Sequence, residues 1–357
     1  MPPAIPSPEL ALAERHDAAG QHDDAINALA RGTSAGDLPC MRQLGKRLLS
    51  GDRAPLLAPD GASLLFEAAN KGDAEAAARV SALTALGLYR PQSWSDALRW
   101  LTVAAERGWQ PARGQLVALV SDEMRAAHAV AEETPATYWR RLAADIDLAR
   151  WQSSPAAREL SLDPQVRTFE GFISASVCQW IIDQARGRLV RARVYDAANS
   201  KDLISVTRTN SAATRNLAEV ELLDLLLQAR MSAACRIPMR NMEAPAVLHY
   251  AVGEQITDHF DFVDPDTPNY TQELARNGQR VVTFLVYLND DYEGGVTGFP
   301  TLGFSHQGRR GEGLYFVNAL PDMQPDLRML HTGSPPTRGE KWIVSQFIRS
   351  RETIQPR

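Results

Sequence analysis

A step of 36 residues recurs in the first third of the chain and restricts it to a stack of similar units. The glycines at this step are Gly36, Gly72 and Gly108. Small residues follow each of them four positions later, at Cys40, Ala76 and Ala112. A glycine can end one helix before the next begins, and small residues let antiparallel helices approach closely. Residues 1–120 therefore predict an array of helical hairpins rather than an alanine-rich bundle without a repeat.

The repeats also share a motif. The stretches "AANKGDAEAAARV" and "AAERGWQPARGQL" have an alanine pair, a glycine and small residues at the same offsets, whereas the earlier "RGTSAGDLPCMRQL" lacks the alanine pair. This pattern resembles the Sel1-like subgroup of tetratricopeptide-type repeats, with two good copies and one degenerate copy. Arrays of this kind usually present a concave surface to a protein partner, so we expect the repeats to bind a protein.

The second half of the chain has a different pattern. Residues 121–165 predict a connecting helix and a linker, because helical spacing in "ATYWRRLAADIDLARW" gives way to serine and proline. From residue 166, two helical segments precede several short strand-like segments separated by glycine and proline turns. We therefore expect a multidomain α and α+β protein: a helical repeat array (1–120) and a double-stranded β-helix, or jelly roll, braced by helices (166–357).

Composition excludes several classes of function. A net charge of -5 argues against nucleic acid or an anionic membrane as partner. The three cysteines are far apart and odd in number, which indicates neither a disulfide framework nor a zinc ribbon and fits a reducing cytoplasm. The first residues lack the basic and apolar regions of a signal peptide, and no apolar run approaches the roughly 20 residues of a membrane span. We expect a cytoplasmic protein.

The segment "TDHFDF" places His259 and Asp261 two positions apart. Non-haem iron(II) oxygenases bind the metal through two histidines and one carboxylate, which leaves other positions open. Residues i and i+2 of a strand point the same way, so His-x-Asp could supply two of these ligands. A distant histidine would have to supply the third, and His331 is the natural candidate. The tripeptide alone is also compatible with two ordinary polar residues in a loop.

Further motifs extend this pattern over residues 167–350. They are "VLHYAVGEQITDHFDF", "GQRVVTFLVYLND", "EGG", "GEGLYF", "LHTGSPPTRGEKW" and, upstream, "RTNSAATRNL". In this order and spacing the set resembles the prolyl 4-hydroxylase branch of the iron(II)/2-oxoglutarate dioxygenases. The resemblance implies a jelly-roll enzyme, with its catalytic core at 243–350, that hydroxylates an unactivated C–H bond, most simply of a prolyl residue. It also implies Fe(2+), the co-substrate 2-oxoglutarate and L-ascorbate.

The resemblance also implies roles for individual residues. His259, Asp261 and His331 correspond to the metal ligands. Lys341, Tyr250 and, more weakly, Thr283 correspond to residues of the 2-oxoglutarate site. Arg208, Glu243 and Arg280 correspond to polar positions that hold the peptide. Departures occur at Ile256, Thr332, Phe347 and Arg349, and these bear on the substrate rather than on the metal set.

Three functions are compatible with the sequence. The first is a peptidyl-prolyl hydroxylase whose repeats recruit a protein substrate. The second has the same chemistry on a small molecule or a free amino acid. The third is a repeat-based interaction scaffold with an idle oxygenase fold. An intact set of predicted ligands together with Lys341 argues against the scaffold, and the repeats favour a macromolecular substrate.

Overall fold

A computed structural model describes residues 7–121, 124, 135–192, 194–196, 201–203, 207–267 and 270–353. The chain divides into two compact units. One comprises Met1–Leu148 with Asn216–Leu227, and the other comprises Ala149–Arg215 with Gln228–Gln355. The boundaries expected from the sequence lie at residues 120 and 165, and they remain a proposal. Residues 122–123 and 125–134 of the expected connecting helix lie outside the described residues.

The first unit is built from helical hairpins whose helices begin at the predicted 36-residue step. The first helix of each hairpin begins at His22, Ala58 or Trp94, and the second at Leu38, Ala74 or Gln110. The helices are α1 Pro8–Ala18, α2 His22–Ser34, α3 Leu38–Ser50, α4 Ala58–Asn70, α5 Ala74–Leu86, α6 Trp94–Glu106, α7 Gln110–Leu119 and α8 Pro135–Ala144. The helical repeat prediction is confirmed, and the copy that looked degenerate in sequence forms a complete hairpin.

The turn inside each hairpin shows why the glycines recur. Gly36 and Gly72 have φ values of 84° and 117°, which residues with a side chain rarely adopt. The aspartate that follows each glycine caps the next helix: Asp37 accepts from the Cys40 N–H at 2.9 Å, and Asp73 accepts from the Ala76 N–H at 2.7 Å. The glycine turn therefore recurs at the 36-residue step, and the aspartate cap accompanies it in the first two hairpins.

The second unit contains two larger antiparallel sheets, with strands numbered along the chain. The eight-stranded sheet has the order β1 Arg158–Leu162, β2 Gln165–Phe169, β13 Gly313–Val317, β9 Arg280–Tyr287, β16 Lys341–Arg349, β7 Ala246–Tyr250, β6 Ser211–Thr214 and β3 Val190–Arg191. The four-stranded sheet has the order β12 Phe304–His306, β11 Thr297–Phe299, β14 His331–Gly333 and β8 Ile256–His259. Two short pairs join β4 Val194–Asp196 to β5 Lys201–Leu203 and β10 Glu293–Gly294 to β15 Pro336–Arg338.

The hydrophobic core of this unit lies between the two sheets. One buried cluster takes Leu248, Leu285 and Ile343 from the large sheet and Phe299 from the small one. Burying alternate residues of facing strands is the arrangement of a β-sandwich, so the predicted jelly roll is confirmed. The site described below lies at one end of this sandwich, where β7, β8, β14 and β16 begin or end.

Helices brace the second unit as expected. They are α9 Leu148–Trp151, α10 Ala175–Arg186, the part of α11 Leu222–Cys235 that begins at Gln228, and α12 Tyr270–Asn277. Ser174 caps α10 by accepting from the Val177 N–H at 3.3 Å. Gln228 on α11 donates to Gln346 of β16 at 2.8 Å. None of the described helices is long and apolar enough to cross a membrane.

The start of the second unit differs from the expected linker. Residues Arg158–Leu162 form β1, the edge strand of the large sheet, and pair with β2. The segment "RELSL" is mostly exposed in the structure, and its only apolar residues are Leu160 and Leu162, an alternation too short to indicate a strand from sequence. Its strand conformation comes from pairing with β2.

Candidate active site

The structure brings His259, Asp261 and His331 together. His259 ends β8 and His331 begins β14, and the two residues are opposite each other in the antiparallel register. Their ring centroids are 4.2 Å apart. One potential ligand atom from each histidine and one from Asp261 lie within 4.8 Å of one another. Because β8 ends at His259, Asp261 lies in the following loop, and the strand geometry expected from His-x-Asp applies only to its first member.

Hydrogen bonds fix which nitrogen of each imidazole faces the cluster. Nδ1 of His259 donates to the carbonyl of Thr257 at 2.8 Å, and Nδ1 of His331 donates to the carbonyl of Met329 at 3.0 Å. The Nε2 atoms lie near Asp261, at 3.5 Å from Oδ1 for His259 and at 3.2 Å from Oδ2 for His331. Holding Nδ1–H on a carbonyl leaves Nε2 free to act as a lone-pair donor.

Asp261 is buried and tightly held. Burial acts to raise the pKa of its carboxyl, but the neighbouring imidazoles of His331 and His259 more than offset this and hold the pKa well below its ordinary value. Thr283 donates to Oδ2 of Asp261 at 2.7 Å, and Asn318 donates in turn to the Thr283 hydroxyl at 2.8 Å. The carboxylate is thus ionised and oriented by a chain of two side chains.

Lys341 is buried at the first position of β16, with 1% of its surface exposed. Its Nζ donates to the carbonyl of Gly295 at 2.7 Å. No carboxylate forms an ion pair with Lys341 among the residues that the structure describes. Burial lowers the pKa of the Lys341 amine to about 7. A buried ammonium without a counter-ion is costly, so this position favours an anionic ligand.

Tyr250 lies beside Lys341, and both line one cavity. The two residues are register partners on β7 and β16, and Nζ of Lys341 is 5.4 Å from the centroid of the Tyr250 ring. Burial raises the pKa of the Tyr250 hydroxyl, which therefore stays protonated and able to donate. The cavity has a volume of about 590 Å³ and contains His259, Asp261 and His331 in its wall.

The predicted substrate residues occupy different environments. Arg208 and Arg280 line the cavity, whereas Glu243 is not among its lining residues. Glu243 is bound by Arg280 through two contacts of 2.8 and 2.9 Å and also pairs with Arg349. Burial acts to raise the pKa of Glu243, but the two guanidinium groups keep it lowered. Phe347 lies under Arg280, with the guanidinium 3.9 Å from the ring centroid.

Several functional contacts were not anticipated from the sequence. The resemblance places Thr283 in the co-substrate site, but its hydroxyl contacts Asp261 and Asn318, and the residue is not among those that line the cavity. Phe260 and Phe262 line the cavity with their rings stacked at 4.8 Å. In the sequence, the alternation of these two rings with His259 and Asp261 in "HFDF" is the feature that could have predicted their place in the cavity wall.

The donor set fits iron(II), and the cation fits 2-oxoglutarate. Two imidazole Nε2 atoms and one carboxylate lie close together, which is the donor set of the facial triad, and a divalent cation would satisfy all three at once. Lys341 and Tyr250 offer a buried cation and a neutral hydroxyl in the same cavity. That pair suits the distal carboxylate of a keto diacid.

Comparisons with known proteins agree with this chemistry. Residues 245–349 match the family model described as the 2OG-Fe(II) oxygenase superfamily. The chain is 29% identical over 208 residues to probable prolyl 4-hydroxylase 7 of Arabidopsis thaliana, covering 53% of this chain and 64% of that protein. It is 31% identical over 233 residues to prolyl 4-hydroxylase 1 of the same plant, covering 58% of this chain and 80% of that protein.

Two solved structures are also similar to parts of the chain. The viral collagen prolyl hydroxylase vCPH from Paramecium Bursaria Chlorella virus-1, a 2OG complex, is 24% identical with a TM-score of 0.40, covering 52% of this chain and 96% of that one. A Sel1 repeat protein from Oxalobacter formigenes is 18% identical with a TM-score of 0.30, covering 43% of this chain and 64% of that one.

Proposed function

The chain belongs to the prolyl 4-hydroxylase family of 2OG-Fe(II) oxygenases and is a 2-oxoglutarate-dependent dioxygenase, and from this premise we propose that it hydroxylates a prolyl residue of a protein or peptide. The observation that carries the proposal is the pairing of two features in one cavity. One is the convergent set of His259, Asp261 and His331, and the other is the buried ammonium of Lys341. An idle scaffold has no need of a buried, uncompensated lysine beside three converging ligands.

In the proposed mechanism, the chain binds, orients and shields the reactants. His259, Asp261 and His331 would hold iron(II), and Lys341 and Tyr250 would hold the distal carboxylate of 2-oxoglutarate. When bound, the metal and co-substrate supply oxidative decarboxylation to succinate and carbon dioxide together with hydroxylation of a C–H bond. Thr283 keeps the Asp261 carboxylate in one orientation through its 2.7 Å hydrogen bond. The half-buried Phe260 and Phe262 present apolar faces to the substrate and limit water access.

Three finer assignments belong to the same proposal. L-Ascorbate would return iron to the ferrous state after turnover without substrate. The helical repeats would recruit the protein substrate through a surface of their own, since repeat arrays commonly bind proteins. A cytoplasmic location stays a prediction that rests on the free thiols of Cys40, Cys178 and Cys235.

The proposal is tested by measuring succinate formation. Protein purified without oxygen is incubated with iron(II), 2-oxoglutarate and ascorbate before oxygen is admitted, alone and with a pool of proline-containing peptides. We expect succinate above the level of His331→Ala, stimulation by peptide, and a mass gain of one oxygen atom on a prolyl residue. Arg208→Ala should reduce the stimulation without removing the basal succinate, because Arg208 lines the cavity outside the ligand set.

Two results would contradict parts of the proposal. If peptides leave turnover unchanged while amino acids or other small molecules stimulate it, the chemistry stands and the macromolecular substrate is wrong. If no succinate forms above the His331→Ala background under any condition, the catalytic function is wrong. The helical repeats would then be the remaining functional element.

A further inference from the structure

The main chain of β16 at Lys341 is paired with a neighbouring strand on one side only. On the β7 side, Lys341 is opposite Tyr250 in a regular ladder. On the β9 side, the paired register starts only at Ile343 and Tyr287, and the last main-chain bond runs from the Leu288 N–H to the Trp342 carbonyl at 2.9 Å. The main-chain hydrogen bonds between β9 and β16 therefore end at Trp342, the residue next to Lys341.

Beyond the end of β9, the side chain of Asn289 forms hydrogen bonds with the main chain next to Lys341. Its Oδ1 accepts from the Trp342 N–H at 2.8 Å, and its Nδ2 donates to the Glu340 carbonyl at 2.7 Å. Nδ2 also donates to Oδ1 of Asp291 at 2.7 Å. A backbone N–H can only donate and a carbonyl can only accept, so these partners allow a single orientation of the amide. Asn289 is buried and binds the main chain on both sides of Lys341.

The same loop also holds the amine of Lys341. The loop that begins at Asn289 reaches Gly295, whose carbonyl accepts from Nζ at 2.7 Å. Gly295 has a φ of 63°, and a Cβ there would lie 2.9 Å from the Tyr292 ring. One loop thus fixes Lys341 at its backbone through Asn289 and at its Nζ through Gly295.

We propose that Asn289 is a positioning residue for the co-substrate: by binding the main chain on both sides of Lys341, it aims the Lys341 ammonium at the distal carboxylate of 2-oxoglutarate. The inference rests on the proposed function of the cavity. A charge-assisted hydrogen bond depends steeply on distance and angle, so a lysine with a loosened backbone binds a carboxylate less well even though its charge is unchanged. Asn289 itself does not line the cavity and touches no reacting group.

The test measures binding rather than turnover. Wild type, Asn289→Ala and a control are loaded with Zn²⁺, which is redox-inert, and titrated in a calorimeter with 2-oxoglutarate and with pyruvate. Pyruvate has the same keto-acid end but no distal carboxylate. The matched control is Asn241→Ala, because Asn241 is equally buried and its Nδ2 donates at 2.9 Å to the Arg349 carbonyl, at the opposite end of β16. Zn²⁺ affinity and the thermal unfolding midpoint are measured for each protein.

We expect Asn289→Ala to bind 2-oxoglutarate about tenfold more weakly, because the hydrogen bond from Lys341 to the distal carboxylate is weakened. The affinities for pyruvate and Zn²⁺ should stay within about twofold of wild type. Asn241→Ala should leave the ratio of 2-oxoglutarate to pyruvate affinity unchanged. If Asn289→Ala does not fold, Asn289→Asp replaces it, since it keeps the shape and the acceptor for Trp342 but loses the donor to Glu340.

Two outcomes would overturn the inference. In one, a folded Asn289 variant binds 2-oxoglutarate as wild type does. In the other, the affinities for 2-oxoglutarate and pyruvate fall in parallel, which indicates general damage to the site. Failure of wild type itself to bind 2-oxoglutarate would instead contradict the proposed function, so the two failures are distinguishable.

Discussion

Lys341 and Tyr250 are opposite each other in the antiparallel register of β16 and β7, and the Lys341 Nζ lies 5.4 Å from the centroid of the Tyr250 ring. The ring shields the amine from water without neutralising it. The nearest described hydrogen-bond partner of Nζ is the neutral Gly295 carbonyl. This combination makes Lys341 a weakly stabilised buried cation, and its proton should respond both to an anionic ligand and to pH.

Binding of 2-oxoglutarate should therefore be coupled to proton uptake. Burial lowers the pKa of Lys341 to about 7, and a bound carboxylate would favour the charged amine and raise that pKa. Above pH 7 the amine must gain a proton to bind, so we expect affinity to fall with rising pH, approaching tenfold per unit. Calorimetric titrations of Zn²⁺-loaded protein in buffers of different ionisation enthalpy measure this uptake. A similar proton uptake in Lys341→Met would contradict the assignment to Lys341.

The ligand-free protein should show the matching effect on stability. The folded-state pKa of about 7 lies below the ordinary value of 10.5, so between these pH values the unfolded chain binds more protons than the folded one. The Lys341 contribution to the free energy of unfolding therefore rises with pH across this window and is least favourable below pH 7. Lys341→Met should raise the free energy of unfolding at about pH 6 by up to a few kcal/mol, since one pKa unit corresponds to about 1.4 kcal/mol. Urea unfolding of wild type and Lys341→Met at several pH values between 6 and about 10.5 measures this contribution. If the free energy of unfolding depends on pH in the same way in both proteins, the prediction is wrong.

Removing one ligand imidazole should release the metal without unfolding the chain. We expect His331→Ala to lose Fe(II) or Zn²⁺ affinity by at least about a hundredfold, because two ligands remain of three. His306→Ala is the control, since His306 is also buried but pairs with Glu312 at 3.3 Å outside the site. Metal content after dialysis and the far-ultraviolet circular dichroism spectrum provide the measurement. Equal metal retention by both variants would contradict the ligand assignment.

The hydroxyl of Thr283 should matter through Asp261. Thr283→Val keeps the shape of the side chain but removes the donor that holds Oδ2 of Asp261 at 2.7 Å. Partners that orient a metal ligand typically contribute about 10- to 100-fold in metal affinity or activity, so we expect a loss in that range. Thr283→Ser retains the hydroxyl and should restore most of the affinity. If valine and serine variants behave alike, the hydroxyl has no such role.

The sequence predicted those parts of the molecule that depend on local pattern and order. The 36-residue step predicted the hairpins because the glycine turn recurs at fixed positions, and apolar runs such as "RVVTFLVYLN" predicted the strands of the jelly roll. The contacts of Thr283 were not predictable, because they depend on how β9 faces the loop after β8. The same holds for Glu243, whose two arginine partners are 37 and 106 residues away in sequence.

These pairings separate two residues that the sequence placed in one group. Glu243 is bound by Arg280 and Arg349, so its carboxylate holds two cations together, whereas Arg208 lines the cavity and donates to Asn210 of its own loop at 3.2 Å. We expect Glu243→Gln to lower the free energy of unfolding by about 1 to 3 kcal/mol, because two largely buried guanidinium groups lose a shared anion. Arg208→Ala should leave the unfolding midpoint unchanged.

The steady-state kinetics of Arg208→Ala and Glu243→Gln should also differ. With a peptide that stimulates succinate formation, Arg208→Ala should raise KM for the peptide several-fold with KM for 2-oxoglutarate unchanged. Glu243→Gln should change the peptide KM only to the extent that Arg280, which lines the cavity, becomes mobile. Thermal unfolding and steady-state kinetics on the two variants decide the matter. A Glu243→Gln protein with wild-type stability and a strongly raised peptide KM would instead assign Glu243 to direct contact with the substrate, because a carboxylate needed only to hold Arg280 and Arg349 cannot be lost without a cost in stability.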